Sequence, residues 1–147
     1  MGLFQSFDIC ASGMTAQRFR MDTIAENIAN VNTTRTEDGE PYRRKIVTFE
    51  EKTLRPSFAD TLADSTTTFQ GDGVKVASVT EDYETDFVMQ YDPSHPDADE
   101  NGYVLMPNVN SSEEQVDLMA ATRAYEANLT ALNVVKTMAM KALEIGK

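Results

Sequence analysis

The chain has 147 residues, enough for one domain or for a small domain with extended appendages; 41% are hydrophobic and 25% charged, near the soluble globular average. Twenty-four acids against thirteen bases leave a net charge of -11, the wrong sign for a protein that grips nucleic acid through Lys and Arg at phosphates. A single cysteine excludes an internal disulfide framework and a multi-cysteine zinc site, and no apolar run reaches bilayer length, so membrane insertion is not expected.

The first pattern is helical. Leu3, Phe7, Cys10, Met14, Gln17, Met21, Ile24, Ile28 and Val31 recur at alternating intervals of three and four. That is a heptad-like seam, interrupted by polar Gln17, and it predicts a helical segment over residues 1–34. Asn30 and Asn32 are expected to turn the chain out of it, because asparagine tolerates left-handed backbone and side-chain turns. No base precedes Arg18 and Asp8 breaks the apolar start, so no cleaved secretory signal is expected.

Residues 35–110 read as a β-rich insert. Pro41 precedes an alternating, β-branched strand candidate from Tyr42 to Phe49. A stretch near 51–70, rich in Thr, Ser, Asp and Ala without periodicity, reads as a mobile loop. Gly71-Asp72-Gly73 signals a turn, and strands are expected from Val74 to Val79 and from Phe87 to Tyr91. A polar loop then runs to Asn101-Gly102, a turn pair, and Tyr103 to Met106 closes the insert.

The last segment, 111–147, returns to helical spacing with Leu118, Ala121, Tyr125, Asn128, Leu132, Val135, Ala139 and Ala142. Ser111 or Ser112 is the expected cap, Glu113 and Glu114 supply acids to the first turn, and Gly146 the stop. Glu114 lies off the seam and reads as neutral to substitution. The expected fold class is mainly α with a small β-rich insert: two long terminal coiled-coil-forming helices flanking a central β segment. Phe7, Met14, Met21, Ile24, Ile28 and Val31 on the first helix, and Leu118, Tyr125, Leu132 and Val135 on the last, form the expected assembly seam. So thin a seam does not offset the entropy of ordering two such arms, which therefore need neighbours.

No catalytic, cofactor or metal site is expected. Cys10 falls on the apolar seam and His95 in a loop far along the chain, so a Cys–His nucleophile has no support. Asp97-Ala98-Asp99-Glu100-Asn101-Gly102 opens like a calcium loop, but its twelfth position is Asn108 where a bidentate Glu belongs. A tight turn is the better reading. The net charge is localised: between Lys75 and Arg123 there are eleven acids and no base. That segment is either a solvated acidic face or a docking face for a basic partner.

Ala11-Ser12-Gly13-Met14-Thr15-Ala16-Gln17 with Ile28-Ala29-Asn30-Val31-Asn32-Thr33-Thr34 resembles the N-terminal motif of bacterial flagellar axial proteins. Pro41 to Lys45, Tyr91-Asp92-Pro93, His95 to Asp99, Gly102-Tyr103-Val104, Pro107-Asn108-Val109 and Arg123 to Asn128 narrow the resemblance to flagellar basal-body rod proteins of the FlgC type, in the proximal rod. The resemblance implies a non-enzymatic structural subunit of the cell-envelope rod, exported unfolded by the flagellar type III apparatus. It implies helical assembly through the terminal helices, with itself and other rod proteins, to transmit torque and form the export channel. A cytoplasmic coiled-coil chaperone or adaptor for an export system is the alternative.

Overall fold

The computed structural model of the protein describes residues 3–52 and 72–145. Most of the loop expected near 51–70 therefore lies outside the described residues, as do Gly71 and Gly146. Helix α1 (Leu3–Ala29) is followed by strands β1 (Lys45–Glu51), β2 (Val74–Glu81), β3 (Val88–Tyr91) and β4 (Tyr103–Met106), then helix α2 (Ser111–Ile145). The described chain is mainly helical, with a small β region between two long helices.

The helices run antiparallel, as three contacts along them show. Gly13 meets Asn128, the Thr122 hydroxyl donates to Met21 Sδ at 3.5 Å, and Asn27 meets Glu114. Small side chains let the axes approach. Ala16 and Ala121 are buried between larger neighbours, and a Cβ on Gly13 would stand 3.0 Å from the Asn128 amide. With Ile24, Tyr42, Val104 and the prolines Pro41 and Pro107, these two alanines are the buried apolar residues among those described. Phe4, Met119, Val134, Met138, Leu143 and Ile145 stay exposed, so the pair closes one narrow stripe and leaves its outer faces bare.

Helix α1 stops two residues short of Val31, which lies in the following turn with its N–H on the Ile28 carbonyl at 3.3 Å. The stop does not use left-handed asparagines; among the described residues positive φ occurs at Gly39, Gly73 and Gly102 alone. Asn30 instead donates its amide to the Glu26 carbonyl at 2.9 Å and accepts the Thr33 hydroxyl at 3.1 Å. Asn32 is exposed on the turn. Tyr42 N–H then bonds the Thr33 carbonyl at 3.1 Å and starts the chain back toward β1.

Two separate antiparallel hairpins make up the β region, β1 with β2 and β3 with β4. In the first, the register shifts between Thr48 and Phe49, a bulge that re-aims the strand. The start of β2 is tied to α1: Ser12 Oγ donates to the Ile9 carbonyl at 2.7 Å and accepts Val74 N–H at 3.1 Å. Gly73 permits this, since its φ is 105° and a Cβ there would fall 2.2 Å from Ser12 Oγ. In the second hairpin, Gly102 takes φ 82° beneath Tyr91 and Pro93, and Asp99 Oδ1 accepts Asn101 and Tyr103 N–H at 2.9 and 2.8 Å.

Candidate functional site

The best-buried side chains between the helices and the insert are polar. Glu114 is 0% exposed and Asn27 1%. Asn110 positions the first of them. It caps α2 by accepting Ser112 N–H at 3.0 Å, so the cap lies one residue before the two serines, and Glu114 N–H reaches the Asn110 carbonyl at 3.0 Å. Glu114, expected on the sequence to tolerate substitution, is buried and points into the junction. One carboxylate oxygen accepts Arg44 Nε at 2.5 Å and the other accepts Asn27 Nδ2 at 3.0 Å.

Asn27 is saturated. Its amide nitrogen donates to Glu114 and to the Lys45 carbonyl, each at 3.0 Å. Its oxygen accepts the Tyr42 hydroxyl and Lys45 N–H, each at 2.9 Å. Four bonds are all that a primary amide can make, so the residue imitates a strand neighbour for β1 while touching α2. Two of the bonds hold the backbone of one residue. That is the grip of α1 on the insert.

A second asparagine does the same for the far side. Asn108 accepts Arg44 N–H at 2.8 Å and donates to the carbonyls of Asp82 and Thr85 at 3.0 and 3.1 Å. Asp82 N–H closes the ring on the Arg44 carbonyl at 2.8 Å. The Asp82 carboxylate accepts the N–H groups of Glu84 and Thr85 and the Thr85 hydroxyl. The Thr85 N–H, opposed by burial and then aided by that hydroxyl, holds the Asp82 carboxyl below its usual pKa. Arg44 thus joins the segment after β2, the segment after β4 and helix α2 through its backbone and its guanidinium, which also lies 3.6 Å from Asp117. Burial works against the Arg44 charge, but the Glu114 hydrogen bond and charge more than offset it and raise its pKa. Burial, followed by the charges of Glu26, Glu114 and Glu81, pushes the Tyr42 phenol well above its usual pKa.

Of the expected seam residues, Ile24 is buried, while Phe7, Met14, Met21, Ile28, Leu118, Tyr125, Leu132 and Val135 are half-buried. Val31 is half-buried but off the helix. The two polar seam positions differ in outcome. Asn128 bonds the Ala124 carbonyl at 2.9 Å, whereas Gln17 Oε1 is buried without a partner among the described residues. Turn residues Asn101 and Gly102 sit together in the β3–β4 loop. There Asp97 accepts the Thr34 hydroxyl at 2.8 Å, and His95 Nδ1 accepts Asp97 N–H at 3.1 Å. The pattern reading missed Asn27, Tyr42, Arg44, Asp82 and Glu114 as a unit. The junction fixes the insert on the helix pair.

Comparison with known proteins fits this architecture at both ends. The family described as "Flagella basal body rod protein" matches residues 7–35, and that described as "Flagellar basal body rod FlgEFG protein C-terminal" matches residues 100–145. The flagellar basal-body rod protein FlgC of Bacillus subtilis is 50% identical over 153 residues, covering all of both chains. That of Borreliella burgdorferi is 46% identical over 99% of this chain and 98% of its own, and that of Salmonella typhimurium 40% identical over all of both. No helix among the described residues is long and apolar enough to cross a membrane.

Proposed function

The chain belongs to the FlgC family of flagellar basal-body rod proteins, and from that premise we propose how it acts as a structural subunit of the rod: α1 and α2 pack into the axial core and the insert, held by the Asn27–Glu114 joint, lies outside. The observation that carries this is the mismatch between the helices and their burial. Two long helices pair along one stripe and present Phe4, Met119, Met138, Leu143 and Ile145 to solvent, faces that neighbouring subunits would cover. Such faces suit association with copies of itself and with other rod proteins in the flagellar basal body. The subunit transmits torque and lines the export channel, reaches its place through the flagellar type III apparatus without a cleaved signal, and catalyses nothing. Full-length relatives named as rod proteins disfavour the chaperone or adaptor alternative.

Expression in a strain whose own copy of the gene has been deleted tests the reading. Swimming should return, and the chain should co-purify with isolated basal bodies. A chain that is made and exported but leaves cells non-motile, and is absent from basal bodies, would overturn it.

A further inference from the structure

Strands β3 and β4 carry an apolar face turned to solvent. Met89 pairs with Leu105 and Tyr91 with Tyr103, so strand alternation puts all four side chains on one side. They are 70%, 47%, 64% and 45% exposed in that order, whereas Val104, on the other side, is buried. The exposed face continues into a groove of about 460 Å³ whose apolar lining is Pro41, Met89, Pro96, Ala98, Tyr103 and Leu105. Its walls are acidic. Asp97 and Asp99 line it, Asp38 and Glu40 flank Gly39 on the adjoining turn, with Glu40 3.9 Å from Arg43, and Glu100 follows on the loop. Arg35, the base among the lining residues, is taken by Asp97 at 3.9 Å. An occupant of this groove must be apolar and positively charged.

The same chain presents a surface of that kind. In the second half of α2, Val134, Met138, Lys141 and Ile145 follow one another at helical spacing on one face, and all are exposed. This face cannot reach its own groove. Val134 lies about 30 Å of helix beyond Glu114, and α2 runs from there along α1, away from the turn that carries Pro41. A second copy must supply it.

We infer that the β3–β4 groove of one subunit receives the Val134–Ile145 face of α2 from the next copy, with Lys141 against the acidic rim. Two different patches meet, so the contact is heterologous: each subunit gives a helix and takes one, and repetition produces a ring or a helical array rather than a closed dimer. The inference rests on the rod-subunit reading and assigns two surfaces which that reading leaves open.

The test is crosslinking in assembled basal bodies. In a Cys10→Ser background, chains carrying Met89→Cys and chains carrying Met138→Cys are co-expressed in the deletion strain, and isolated basal bodies are treated with a short bismaleimide. A product of twice the subunit mass should form only when both chains are present, and a ladder should form when both changes sit in one chain. Leu105→Cys with Val134→Cys is a second pair on the same two faces. Absence of the mixed product with both pairs in swimming cells would overturn the inference and leave the rod role standing. So would a Met89→Cys product whose mass identifies a different rod protein. Failure of the unsubstituted chain to restore swimming would instead count against the rod role itself.

Discussion

Asn27, near the end of α1, donates its side-chain amide to Glu114, in the first turn of α2, at 3.0 Å, with both residues sealed from solvent. Neither belongs to the apolar seam: Asn27 falls between Ile24 and Ile28, and Glu114 stands four residues before Leu118. Their contact ties the two helices to each other at the one level where both also hold the insert, through Lys45 and Arg44. The separation of core and insert along the chain is therefore not a separation in space. Four predictions follow from the way this joint and the helix stripe are built.

Glu114→Gln should destabilise the isolated chain by about 1.5–3 kcal/mol, the range for a hydrogen bond to a charged group. The amide retains an acceptor for Asn27 but leaves the Arg44 guanidinium beside a neutral partner. Urea unfolding measures it. A loss below about 0.5 kcal/mol would show that the pair contributes no more than a surface contact.

Gly13→Ala trades two effects. Alanine favours the helix by up to about 1 kcal/mol, yet its Cβ would stand 3.0 Å from an Asn128 amide already bound to the Ala124 carbonyl. The expected result is a net loss of stability in Gly13→Ala and recovery when Asn128→Ala is added. A double-mutant cycle reads this as coupling; simple additivity would mean that the helices do not touch there.

Ile24→Asp and Leu132→Asp should both abolish incorporation into the rod, by different routes. Ile24 is buried within the single chain, so its carboxylate costs several kcal/mol before any assembly. Leu132 is half-buried, and its replacement should leave the isolated chain much closer to native stability while still stopping swimming. Ile24→Leu should cost under about 1.5 kcal/mol and preserve motility. Swimming with Asp at both positions would remove the helix faces from the assembly.

Stability should have an acid and an alkaline limb. The Asp82 carboxyl is held below its ordinary 3.8, so the unfolded chain binds more protons in that range; the contribution is complete above it and fades as pH falls through the folded value. Tyr42 is raised from its ordinary 10.0, so its contribution is complete below that value and is lost as pH climbs toward the folded one. Phenolate absorbance should lose its latest-titrating tyrosine in Tyr42→Phe and keep Tyr83, whose hydrogen bond to Glu81 also raises it. Persistence of the latest titration in that variant would assign it elsewhere.

The elements were legible because periodicity is local. Tyr103–Met106 was readable as a short apolar run, and the start of α2 at Ser111 from the switch to helical spacing. The ends of α1 were less so: apolar spacing carries on to Val31, but asparagine side chains take over the hydrogen bonds before it does. The joint was illegible for a different reason. A heptad reading ranks residues by apolar recurrence, and it discards an asparagine that falls between seam positions and a glutamate that stands in register four residues before Leu118 but is not apolar. Asn27 and Glu114 are buried because each meets a backbone or a guanidinium contributed by the insert, information that lies 18 and 70 residues away in the chain. The cap followed the same logic, with Asn110 supplying the oxygen where either serine had the right chemistry.

The hold of Ser12 on Val74, together with the bond from Lys52 N–H to the Gly73 carbonyl at 2.9 Å, makes the two ends of the segment between β1 and β2 a fixed doorway. Whatever chain passes between those ends, its closure entropy grows only logarithmically with length, about 0.6 kcal/mol for each doubling. A flexible connection of any length between those ends would leave their hydrogen bonds in place. An experimenter can use the same latitude to install a fluorescent or affinity tag there and follow a single subunit in a turning motor.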